Sequence, residues 1–317
     1  MVNPRTNRDQ TSAVRDPNVL FQLPMSAAGD EQRTAAAAAA APPSPSATVA
    51  PSDNTNIAGE DDQPHSPTPS CSSSFSSTFP LPTLRLEVRD VLHPGAHRFL
   101  SRIDASTTLP TAVGNVQRIL YNTPKDHTTH LPPTRSVTLI LRDMDGVAYT
   151  TGSELDSDHK EIHFSLHYIE SIRKRDKCSE DGDDGIAHEI VGVITHELVH
   201  CYQWDARGTC PGGLIEGIAD FVRLRCGLSP PHWEKDLDGS WDRGYQHTAY
   251  FLDYLERRFG DGTVRKINEG LRARKYEEKR FWTEMVGRPV EQLWGDYVKA
   301  SKCDEASAIV ETAEAVA

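Results

Sequence analysis

Val191-Gly192-Val193-Ile194-Thr195-His196-Glu197-Leu198-Val199-His200 decides how this chain is read. Apolar residues at Ile190, Val191, Ile194, Leu198 and Val199 predict a helix from about Ala187 to Gln203. His196 and His200 are four residues apart, so one helix face presents both imidazoles to a single ion. Glu197, next to the first histidine, can address a water held on that ion. This is the metal-hydrolase arrangement, in which Zn²⁺ lowers the pKa of bound water to about 7 and the carboxylate takes its proton. A short pattern with three fixed positions also arises by chance, so its surroundings decide the reading.

A catalytic zinc usually has three protein ligands and one open position. The third candidate comes from Ile215-Glu216-Gly217-Ile218-Ala219-Asp220, inside a second predicted helix from about Leu214 to Arg225. Glu216 and Asp220 are four apart and share a helix face. The reversal Pro211-Gly212-Gly213 lets the two helices pack antiparallel and brings Glu216 towards the histidines. Glu216 then completes a His₂Glu set for one Zn²⁺ per chain. Asp220 accepts a hydrogen bond from the far nitrogen of a ligand histidine and fixes its tautomer. Solvated acids on a surface helix are the commoner fate of such residues. Here the flanking Leu214, Ile215, Ile218, Ala219, Phe221 and Val222 predict a mostly buried helix, where unpaired acids are costly.

Other polar groups have plainer readings. His188-Glu189 repeats half of the motif without a second histidine and reads as a helix start. Cys201 points about 100° away from His200 around the helix. Tyr202, Trp204 and Trp241 read as core. Asp143-Met144-Asp145-Gly146 lacks the rest of a calcium loop and reads as a hairpin turn between strands Ser136–Leu141 and Val147–Thr150. His163 and His167 share one face of a predicted strand, Glu161 to His167.

Outward from the motif, residues 1–80 read as a disordered low-complexity arm, with an alanine run at Ala35–Ala41 and few large apolar residues. The folded part begins near Leu81 with the alternating strand Thr83–Arg89. Helices are predicted at 97–103, 109–121, 245–259, 262–271, 278–286 and 290–301, with Arg173 to Asp184 a charged loop and 302–317 a frayed tail. The net charge of −12 argues against nucleic acid or an anionic membrane as the main partner. The sequence as written shows no apolar secretory h-region, which makes the cytoplasm and reduced thiols the default. Cys201 and Cys210 are close enough in sequence to bridge after export.

Taken together, His196-Glu197-Leu198-Val199-His200, Trp204 and Pro211-Gly212-Gly213-Leu214-Ile215-Glu216-Gly217-Ile218-Ala219-Asp220 resemble the plant basic secretory protein family, zinc metallopeptidases of plants, fungi and bacteria. Asp143–Ala148, Trp241–Tyr245 and Gln292-Leu293-Trp294 extend the likeness over 81–301. The resemblance implies an α+β, zincin-like domain of the glutamate-ligand kind. Its small mixed sheet packs on the active-site helix, and its C-terminal half is helical. It also implies an antiparallel edge strand, Val147–Thr151, that receives an extended peptide by β-addition. The acidic balance, and the absence of a signal-peptide pattern in the sequence as written, depart from what the family name implies.

The expected activity is zinc-dependent hydrolysis of a peptide or protein, with Glu197 as general base and Tyr245 as donor to the oxyanion. His247 is the second choice for that donor. Two alternatives stay open: a defence or binding protein that keeps the zinc fold without peptidase activity, and a structural domain with a fortuitous motif.

Overall fold

Five of the seven residues in Ser136–Arg142 are buried, the pattern of a strand covered on both faces. In the computed structural model, which describes residues 19–22, 78–172 and 185–316, this strand is the centre of the sheet's parallel half. The strands are β1 (Val19–Gln22), β2 (Thr83–Val88), β3 (Ser136–Arg142), β4 (Ala148–Gly152) and β5 (His159–Ser165), in the order β1-β4-β5-β3-β2. β3 runs parallel to β2 and β5, whereas β4 is antiparallel to β5 and β1 is antiparallel to β4. The sheet is mixed, and the fold is α+β.

Parallel neighbours need a crossover. Helices α1 (Pro94–Arg102) and α2 (Ala105–Tyr121) provide it between β2 and β3. α2 starts at Ala105 rather than near Leu109, because Asp104 caps it by accepting from the Ser106 N–H at 2.9 Å. The helix carries Pro110 in its second turn.

Two expectations about the strands are corrected. Asp143–Gly146 does not close a hairpin between β3 and β4, since β5 lies between them and the paired hairpin is β4–β5. The strand expected to reach His167 ends at Ser165. There the Ser165 hydroxyl accepts from the Tyr168 N–H at 3.2 Å and opens the short helix α3 (Leu166–Ser171). His163 and His167 therefore do not share a strand face.

Helix α4 (Gly185–Tyr202) carries the motif and lies against β4 and β5, beside α2. Every residue from Gly192 to Tyr202 is buried, as expected of a helix that is apolar nearly all round. α5 (Gly212–Arg225) packs on α4, and α6 (Tyr245–Phe259) packs on α5. A Cβ at Gly213 would sit 1.7 Å from the Asp242 carbonyl oxygen, so only glycine lets the segment before α6 approach α5 this closely.

The chain ends in α7 (Thr263–Ala273), α8 (Glu278–Val286) and α9 (Val290–Val316). α9 runs past Ser301, where the expected helix stopped, through alanine- and glutamate-rich sequence that favours helix. Trp241, Phe251, Trp282 and Trp294 form an aromatic core here, with Trp241 edge-on to Trp282 at 5.1 Å. Trp241 and Tyr202 are core residues, as read from sequence. Arg173 to Asp184 and most of 1–80 lie outside the described residues.

Candidate metal centre

The i,i+4 spacing on α4 and the glycine-lined start of α5 bring two histidines and two acids to one buried interface. His196 Nε2 lies 3.1 Å from His200 Nε2 and 3.2 Å from Glu216 Oε2. The His200 Nε2 to Glu216 Oε2 distance is 3.7 Å, and one ligand atom from each residue lies within 4.8 Å of the other two. All three side chains are buried. This cluster could hold a metal ion.

Hydrogen-bond partners fix which nitrogens are bare. The Asp220 carboxylate accepts from His196 Nδ1 at 2.7 Å. Gln203 donates its Nε2 to the Ile215 carbonyl at 3.1 Å, which turns its Oε1 to accept from His200 Nδ1 at 2.9 Å. Both rings thus carry a proton on Nδ1, and the Nε2 atom of each faces the other with a glutamate oxygen alongside. With both Nε2 atoms deprotonated, three acceptors converge; without a metal, a proton on His196 Nε2 is shared with Glu216. A cation fits that donor set.

The electrostatics agree. Burial opposes charge on His196, but Asp220 and Glu216 outweigh it and carry its pKa up to about 10. Burial takes His200 down to about 4 against the pull of Glu216. Protons and metal ions compete for the same lone pairs, so the proton affinity of His196 registers the pull of two acids on any cation there.

Glu197 is fully buried, and burial pushes its carboxyl up to about 8, with His196 and Thr150 opposing. Its Oε2 accepts from the Thr150 hydroxyl on β4 at 2.7 Å. Its Oε1 is buried and has no partner among the described residues. A buried carboxylate oxygen without a donor is costly unless a bound group supplies one.

Tyr245, at the start of α6, stacks beside His196 with ring centroids 6.2 Å apart and planes 15° from parallel. Its backbone is left-handed at φ 47°, directly after Gly244 at φ 90°. A non-glycine residue held there costs about 1–3 kcal/mol, and such outliers cluster at functional sites. His247 is placed differently: its Nε2 donates to the Ser240 carbonyl at 2.9 Å, and its ring packs on Trp294 at 4.9 Å. It is tied to the Ser240 loop.

The remaining polar groups of α4 have partners of their own. His188 donates to the Ser229 carbonyl at 3.2 Å, and Glu189 accepts from Arg223 at 2.8 Å. Cys201 and Cys210 are both free, so they form no bridge. Two residues at the site escaped the sequence reading. Gln203 follows His200 by three positions and was within reach of helical spacing. Thr150 left no signal, because a threonine in a strand is ordinary.

Fold and site first define a class: an α+β domain with a candidate metal centre buried between its two central helices. The chain belongs to the family described as peptidases of plants and bacteria, whose model matches residues 81–297, in agreement with the resemblance of its motifs to basic secretory proteins. A peptidase family implies hydrolysis of protein or peptide substrates. No curated protein and no solved structure matches the chain. Among the described residues no helix is long and apolar enough to cross a membrane.

Proposed function

We propose that this chain is a zinc-dependent peptidase, with the span 81–301 as its catalytic domain. The observation that carries the reading is the convergence of two imidazole Nε2 atoms and a glutamate oxygen. Two nitrogens and one carboxylate, with room for a fourth group, are the ligands of a catalytic zinc. His196, His200 and Glu216 would hold the ion, and Asp220 and Gln203 would hold both rings in the ligating tautomer. Bound there, Zn²⁺ supplies Lewis-acid polarisation of the scissile carbonyl and lowers the pKa of the attacking water.

The chain's own groups do the rest. Glu197 follows His196 on the same helix, and its Oε1 has no partner among the described residues, which suits a base that takes the water's proton at Oε1 and passes it to the leaving amine. The Tyr245 phenol, beside His196, donates to the developing oxyanion. An extended peptide would pair with the outer edge of β4 in place of β1, on the strand whose Thr150 anchors Glu197.

The test combines metal analysis with Glu197→Gln. The purified chain should hold one zinc at neutral pH. The variant should keep that zinc while peptide hydrolysis falls by roughly a thousand-fold or more, since general base and proton donor are lost together. Retained turnover in the variant, or no zinc in the parent chain, overturns the reading.

A further inference from the structure

An edge strand presents a row of unpaired N–H and C=O groups that accepts any extended segment. In this chain the outer edge of β4 is already taken. β1 pairs with it antiparallel, with Val19 opposite Thr151, Phe21 opposite Thr150 and Gln22 opposite Tyr149. The register shifts between Val19 and Phe21, where Leu20 is the extra residue of a bulge. Phe21 is thereby set across from Thr150, the residue whose hydroxyl holds Glu197. Any segment paired at that register position lies opposite the residue that anchors the candidate base.

The sequence supports a local docking element. Val19-Leu20-Phe21-Gln22-Leu23 is a compact apolar run in an otherwise low-complexity arm, and Pro17 and Pro24 bracket it. Valine and phenylalanine favour strands, and a proline on either side stops pairing from spreading.

We propose that residues 19–22 are a built-in occupant of the peptide-binding edge and that they compete with peptide substrates for it. The inference rests on the proposed peptidase reading for the competition, though not for the docking. Because the segment is tethered to the domain it occupies, docking is intramolecular, and the local concentration is of the order of millimolar. A peptide arriving at micromolar concentration must first displace it. The full-length chain is therefore restrained by its own arm, and displacing or cleaving that arm releases the edge.

Phe21→Pro in the full chain tests this, because proline removes a ladder N–H and does not fit a paired strand. A labelled synthetic peptide of residues 17–24 should bind the variant at least ten-fold more tightly than the parent chain, read by fluorescence anisotropy. KM for a peptide substrate should fall several-fold in the variant, with kcat little changed, and excess 17–24 peptide should raise it again. Equal binding of the labelled peptide to both chains overturns the proposal whatever the activity. Tighter binding with an unchanged KM overturns the competition. If neither chain hydrolyses any peptide, the anisotropy still decides the docking, and the failure belongs to the peptidase reading.

Discussion

Helices α4 and α5 share two polar clusters, one partly buried and one buried, that solve the same problem in opposite ways. In one, Glu189 accepts from the Arg223 guanidinium at 2.8 Å and from the Tyr168 hydroxyl at 2.9 Å. Arg223 also donates to the Leu228 carbonyl at 2.9 Å, so anion, cation and hydrogen bonds all balance within the chain. Gly192 makes room for it, since a Cβ there would lie 2.6 Å from Arg223 Nε. In the other cluster, Asp220 and Glu216 pair among the described residues only with the two histidines. That cluster has two acids and no permanent cation. A closed ion pair is structural; an open one draws positive charge from outside, and that surplus of acceptors is why this cluster is the candidate functional site.

The contrast can be broken experimentally. Glu189→Ala should have the largest effect on stability, about 3 kcal/mol, by leaving Arg223 buried without its anion. Zinc content per folded chain should stay at the parent value, with calorimetry and metal analysis as the two readouts. Asp220→Asn should do the reverse. It should weaken zinc binding by about 10–100-fold in a chelator competition, with a much smaller loss of thermal stability. If the Glu189 variant loses zinc as readily as the Asp220 variant, the two clusters are one network and the contrast fails. Thr150→Val should have the smallest effect. Removing one hydroxyl at constant volume should lower kcat by about ten-fold with zinc unchanged, because Glu197 then loses its anchor on β4.

What the sequence made legible was local. His196, His200, Glu216 and Asp220 were readable because i,i+4 spacing needs only a helix, and the Pro-Gly-Gly reversal supplied the geometry between the two helices. The central strand and the helical C-terminal half followed from apolar runs and periodicity. The misses involved contacts between distant segments or competition between local signals. Thr150 meets Glu197 only once β4 lies against α4. The insertion of β5 between β3 and β4 is a matter of sheet order, which no turn motif encodes. Asp104 and Ser165 outvoted the propensities of their neighbours by capping, which shifted one helix start and ended one strand early. β1 is an apolar run, but its partner β4 lies more than a hundred residues away, and no local signal names that pairing.

The metal-ligand candidates all fall between His196 and Glu216, on one helical hairpin. Closing so short a loop costs little entropy, so this part of the site can assemble early as the chain folds. Thr150 and Tyr245 come from elements outside the hairpin and reach it only with the completed core. Assembly of the ligand set and completion of the rest of the candidate site would then fall at different stages of folding. A cation held by the hairpin would staple α4 to α5 before the sheet is in place. A chain arrested at that point would carry a full complement of metal and cleave nothing.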